Sequence, residues 1–93
     1  MGNDDKDNII IKLYGANWCG DCFRAKKVFE RFALDYDYID IEKDEKDLKY
    51  VREVNPNGYE SIPVIVFPDG GILIEPDTNI LIRRLKDLKL IKD

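Results

Sequence analysis

The chain has 93 residues, 44% apolar and 37% charged, with two cysteines, no histidine and a net charge of −4, the balance of one small globular domain. The lack of histidine excludes Ser-His and Cys-His dyads and histidine metal sites, and two cysteines cannot complete a four-thiolate zinc site within one chain. The acidic charge excludes an electrostatic nucleic-acid binder.

Residues 1–8, Met1 to Asn8, are polar and acidic, and are read as a flexible tail that is no signal peptide. No run approaches the roughly 20 apolar residues of a membrane span. The expectation is a cytoplasmic chain without membrane contact. There a cysteine pair reads as redox or metal chemistry rather than as a structural disulfide.

Ile9-Ile10-Ile11-Lys12-Leu13-Tyr14 is a β-branched run closed by Gly15, which predicts a strand buried on both faces. Gly15-Ala16-Asn17-Trp18 is a turn. From Cys19 the spacing becomes helical. Cys22, Ala25, Val28, Phe29, Phe32 and Ala33 form one apolar stripe, Lys26, Lys27, Glu30 and Arg31 take the wet side, and Asp35-Tyr36-Asp37 closes the helix.

Tyr38-Ile39-Asp40-Ile41 predicts a second strand, with Tyr36 and Tyr38 at its edge. Asp44 or Asp47 caps a helix that turns Leu48, Val51 and Val54 inward, and Asn55-Pro56-Asn57-Gly58 stops it. Val64-Ile65-Val66-Phe67 is a third strand. Pro68-Asp69-Gly70-Gly71 turns it back into Ile72-Leu73-Ile74. A last helix begins at Glu75-Pro76-Asp77-Thr78 with Asp77 or Thr78 as cap. Leu81, Leu85 and Leu88 form its inner stripe, flanked by Ile82 and Ile91. Arg83, Arg84, Lys86 and Lys89 read as its solvated face. Leu88-Lys89-Leu90-Ile91 reads either as packing on the sheet or as a dimer contact.

The order is β-α-β-α-β-β-α. A helix-length crossover makes the first two strands parallel, and the tight turn makes the last two antiparallel. The expected class is α/β, one four-stranded mixed sheet flanked by three helices, in a single domain over residues 9–93.

The chemistry lies in Cys19-Gly20-Asp21-Cys22. Residues three apart on a helical turn bring two sulfurs within bonding reach. Cys19 falls at the helix start, where unpaired N–H groups and the macrodipole favour a thiolate. It is the expected attacking sulfur. Cys22, one turn further in, is the expected resolving sulfur. Gly20 and Asp21 modulate the pair, and the Asp21 charge opposes the thiolate. Two other readings of the same spacing stay open: a pair of inert thiols, and half of a metal or cluster site shared across a dimer.

Trp18-Cys19-Gly20-Asp21-Cys22, then Ser61-Ile62-Pro63, then the Asp69-Gly70-Gly71 hairpin and the last helix, resemble the glutaredoxin branch of the thioredoxin superfamily. Within that branch the chain is most similar to the short bacterial redoxins of the mycoredoxin type. The resemblance runs from Ile9 to Ile91. It implies a thioredoxin-like fold and a thiol–disulfide oxidoreductase, an electron carrier of cell redox homeostasis with a redox-active Cys19–Cys22 disulfide. It also implies a cis Ile62–Pro63 bond facing the cysteines, and substrate binding by Trp18, Ile62, Pro63 and Thr78.

No cofactor and no metal are implied. The expected partners are protein disulfides and an external reductant, either a thioredoxin-reductase-type flavoenzyme or a low-molecular-weight thiol, acting on a monomer. The alternative within the family is a module that shares an iron–sulfur cluster across a dimer.

Three positions depart from the glutathione-using pattern. Ala16 stands where a lysine is common, Glu60 where a basic residue is common, and Glu75-Pro76-Asp77-Thr78 where a Gly-Gly and an Asp pair are common. The expectation is an acidic rim of Asp21, Glu60, Glu75 and Asp77 that favours cationic or protein disulfides over anionic small thiols.

Overall fold

The computed structural model describes residues 10–92. The tail read over residues 1–8, and Ile9, lie outside them. Ile11–Gly15 (β1), Tyr36–Asp40 (β2), Val64–Val66 (β3) and Ile72–Ile74 (β4) form one sheet in the order β2-β1-β3-β4. β1 and β2 are parallel, while β3 runs antiparallel to both β1 and β4. The helices are Gly20–Arg31 (α1), Glu45–Val54 (α2) and Thr78–Asp87 (α3), with a short 3-10 turn at Pro56–Gly58. This is the four-stranded mixed sheet with three helices expected from the sequence. Among the described residues no helix is long and apolar enough to cross a membrane.

The register assigns the faces. Ile11 lies opposite Tyr36 and Leu13 opposite Tyr38. The Phe29 ring meets Tyr36 at 5.0 Å between centroids, so α1 covers this face, and α3 packs beside it. Tyr50 meets Tyr14 at 4.8 Å, so α2 covers the other face. Ile11 and Leu13 are buried, whereas Lys12 and Tyr14 are half-buried. The first strand is thus fully enclosed on one face only, because a single helix covers the second. Leu13, Phe29, Ile65, Leu81, Leu85, Val51 and Val64 are fully enclosed. Burying each such side chain contributes about 1.5–3 kcal/mol.

Several boundaries differ from the sequence reading. Gly15 belongs to β1 because it pairs with Asp40. β2 starts at Tyr36 rather than Tyr38, since parallel pairing with Ile11 and the Phe29 contact hold Tyr36 in the sheet. β3 stops at Val66, and Phe67 is buried at the start of the turn. Asp44 caps α2 by accepting the Lys46 N–H, and Asp77 caps α3 by accepting the Ile80 N–H. Pro76 therefore precedes the α3 cap.

α1 ends at Arg31, well before Asp35. Ala33 takes the left-handed conformation at φ 55. Its N–H donates to the Glu30 carbonyl, and the Leu34 N–H donates back to the Phe29 carbonyl. That pair of bonds is a Schellman termination built on alanine instead of glycine. It takes Ala33 out of the apolar stripe and into solvent, and leaves Phe32 half-buried. α3 closes in the same way at Lys89, φ 59. Leu88, read as the end of the inner stripe, is its half-buried C-cap.

Candidate active site

α1 begins on a sulfur. Cys19 is its N-cap, with extended backbone, and Cys19 Sγ accepts the Cys22 N–H at 3.3 Å. The sulfur stands where a serine or aspartate oxygen usually satisfies an orphan helix donor. A thiolate there also meets the positive end of the helix. Cys19 is half-buried and Cys22 is 1% exposed. Burial, foremost, and the bond to Cys19 push the Cys22 thiol up to about 12, while the Ala16 backbone and the Lys26 charge pull the other way. The two thiols therefore differ in access, and Cys22 is the one shut away from solvent.

The space under Cys22 is made by Gly15. A Cβ built at Gly15 would stand 2.7 Å from Cys22 Sγ and 3.1 Å from a Leu13 methyl. Only a residue without a side chain lets α1 seat its second cysteine on β1.

The Ile62–Pro63 peptide bond is cis, and both residues are buried. Cys19 Sγ lies 3.9 Å from the Ile62 carbonyl oxygen. The Pro63 carbonyl accepts the Glu75 N–H at 2.8 Å, which ties this segment to the approach of α3. Asn55 ties it from the other side. Its buried side-chain amide donates to the Val51 carbonyl at 2.9 Å and to the Ser61 carbonyl at 3.2 Å.

Trp18 is 70% exposed, yet it is held: its indole N–H donates to Glu42 Oε2 at 2.6 Å. Trp18, Cys19, Gly20, Asp21, Arg24, Ser61, Ile62 and Glu75 line a groove of about 460 Å³. Five of the sequence-derived positions thus converge, and Pro63 stands buried behind them. Thr78 does not join them. It lines an adjacent cleft of about 330 Å³ with Asp21, Arg24 and Asp77.

Two of the four carboxylates of the expected acidic rim are paired with arginines, while Glu75 lines the groove. Asp21 forms an ion pair with Arg24 one helical turn on, and Glu60 accepts from Arg52 Nη2 at 2.6 Å and Nε at 2.7 Å. Asp77 is engaged as a helix cap. The opposition of Asp21 to a Cys19 thiolate is correspondingly reduced, because the Arg24 charge stands against it. Lys26 also departs from its expected place. It is half-buried, with Nζ 3.4 Å above the centroid of the Tyr38 ring.

A family model for glutaredoxin matches residues 11–72, a span that holds the cysteine pair and the cis proline. The chain belongs to the glutaredoxin family. It is 29% identical over 66 residues to Mycoredoxin 1 of Corynebacterium glutamicum, covering 71% of this chain and 80% of that protein. The glutaredoxin-like NrdH-redoxin from Escherichia coli shares the fold with a TM-score of 0.68 at 20% identity, over 81% of this chain and 93% of that one. The glutaredoxin of Archaeoglobus fulgidus superposes with a TM-score of 0.63 at 25% identity, over 92% and 91% of the two chains. Membership of the family supports a thiol–disulfide oxidoreductase role for this glutaredoxin.

Four residues around the site escaped the sequence reading: Gly15, Lys26, Glu42 and Asn55. Gly15 carried the clearest signal, as a glycine ending a strand seven residues before a cysteine. The others act largely across the fold, Lys26 on Tyr38 and Glu42 on Trp18, on partners far away in sequence.

Proposed function

We propose that Cys19 and Cys22 work as a reversible dithiol–disulfide couple that reduces protein disulfides or mixed disulfides. The Cys19 thiolate attacks one sulfur of the substrate disulfide, and the other substrate sulfur leaves with the bonding electron pair. Cys22 then attacks Cys19 Sγ and expels the second substrate thiol. The substrate gains two electrons and the pair becomes a disulfide. An external reductant, a flavoenzyme reductase or a small thiol, returns two electrons and two protons.

One observation supports this division of labour best. Cys19 Sγ lies at the helix start, lines the groove and receives the Cys22 N–H, while Cys22 is enclosed behind it. A substrate backbone laid in the groove meets the Ile62 peptide as an added strand would. Ala16 and Glu60, in place of cations, argue for protein substrates over anionic small thiols. The Arg24 and Arg52 pairs make that preference modest.

The test is Cys22→Ser. Mixed with the neutral disulfide 4,4′-dithiodipyridine and no other thiol, the parent chain is expected to release two equivalents of thiopyridone. Cys22→Ser is expected to release one and to keep the other on Cys19 as a mixed disulfide, visible by mass. Release of two equivalents by the variant would remove Cys22 from the reaction.

A further inference from the structure

The charge beside Cys22 comes from a residue whose spacing had assigned it to solvent. Lys26 lies four residues after Cys22, and positions four apart are neighbours on a helix surface, about 5–6 Å between Cβ atoms. Its ammonium is not free to swing outward. It rests 3.4 Å above the Tyr38 ring. Tyr38 is in turn fixed, since its hydroxyl donates to Asn17 Oδ1 at 3.0 Å in the turn that leads into Cys19. The register completes the arrangement. Cys22 Sγ sits over Gly15, Gly15 pairs with Asp40, and Tyr38 lies one pleat before Asp40 on the same face.

Resting on the proposed roles of the two cysteines, we infer that Lys26, seated on the Tyr38 ring, supplies the positive charge that favours the Cys22 thiolate during the resolving step. In that step Cys22 gives its proton to water. Its sulfur forms a bond to Cys19 Sγ, and the bond between Cys19 and the substrate sulfur breaks. The substrate leaves as a thiolate that takes up a proton.

The groups facing Cys22 are Cys19 from its own turn, Lys26 from α1 and Tyr38 from β2, together with the Ala16 backbone. Tyr38 is pushed up to about 12, foremost by burial and then by Asp40, so it stays a neutral phenol at working pH. In the mixed disulfide Cys19 carries no charge and no thiol to compete for the proton. Burial of Cys22 is then opposed by Lys26 and the Ala16 backbone alone among these groups.

The experiment follows both phases of thiopyridone release from 4,4′-dithiodipyridine by stopped flow. The first phase reports Cys19 attack and the second reports Cys22 attack. Lys26→Gln is expected to leave the first phase unchanged and to slow the second by up to about three- to fourfold at pH 7. Lys26 is the weakest of the influences on Cys22, so its loss lowers the thiolate population by about tenfold at most, and the more basic thiolate regains roughly half of that on a logarithmic scale as nucleophilicity. The second-phase pH profile is expected to move to higher pH, and Lys26→Arg to restore it. An unchanged second phase in Lys26→Gln, or equal slowing of both phases, would overturn the inference. A parent chain that never releases the second equivalent would overturn the resolving role of Cys22, and this inference with it.

Discussion

Cys19→Ser is expected to abolish disulfide exchange, lowering its rate about a thousandfold or more while the chain stays folded. The nucleophile in exchange is a thiolate, and a serine hydroxyl does not ionise in this range. Serine is nevertheless a good helix cap. It replaces a sulfur that accepts the Cys22 N–H with an oxygen able to accept the same bond, so the start of α1 is kept. The melting temperature is therefore expected to change by only a few degrees. Cys22 cannot stand in for the lost thiolate, because it is 1% exposed and burial holds it protonated. The measurement is the initial rate with an excess of protein disulfide, beside a thermal melt. A Cys19→Ser chain that stays active would put the nucleophile outside the groove described here.

Gly15→Ala is expected to have the largest effect on stability of any substitution of a small residue near the site. Two terms compete. Replacing glycine in a strand by alanine reduces the freedom of the unfolded chain and returns about 0.4–1 kcal/mol. Against it, the new Cβ would lie 2.7 Å from Cys22 Sγ and 3.1 Å from Leu13, both buried. Overpacking of that kind costs about 2–3 kcal/mol. The clash wins by about 1–2.6 kcal/mol, which for a chain of this size lowers the melting temperature by about 4–21 °C. Relief requires α1 to lift off β1 at Cys22, so the resolving step is expected to slow as well. Gly20→Ala is the control. Nothing lies within 4 Å of a Cβ at Gly20, and its stability is expected to stay within about 1 kcal/mol of the parent.

These two positions show what the sequence conveys and what it hides. Element order and strand directions were legible because they rest on local signals, hydrophobic period and turn residues, whereas the cis Ile62–Pro63 bond facing the cysteines was carried by the resemblance to glutaredoxins. Element ends were less so. The Schellman turn at Ala33 was hidden because alanine is not the residue that usually marks it. The start of β2 at Tyr36 depends on pairing with Ile11, a contact made across the fold.

The site was legible in its sulfurs and blurred in its charges. Asp21 and Glu60 looked like an open acidic rim because Arg24 and Arg52 cannot be matched to them by composition alone. Lys26 looked solvated because helical spacing puts it beside Lys27. Its long side chain turns back over Tyr38, an edge-strand ring that a helical wheel does not contain. Thr78 was carried by the resemblance, and it lines a cleft that shares Asp21, Arg24 and Glu75 with the groove, where the Asp77 cap starts α3.

The most direct measurement is the reduction potential of the Cys19–Cys22 pair. The chain is equilibrated with graded ratios of reduced and oxidised dithiothreitol, and its free thiols are counted by mass spectrometry. A single two-electron transition at about −200 to −280 mV, with one intramolecular disulfide and no dimer, is the expected result. A pair that forms no disulfide with itself at any ratio would contradict the exchange mechanism, whatever the fold.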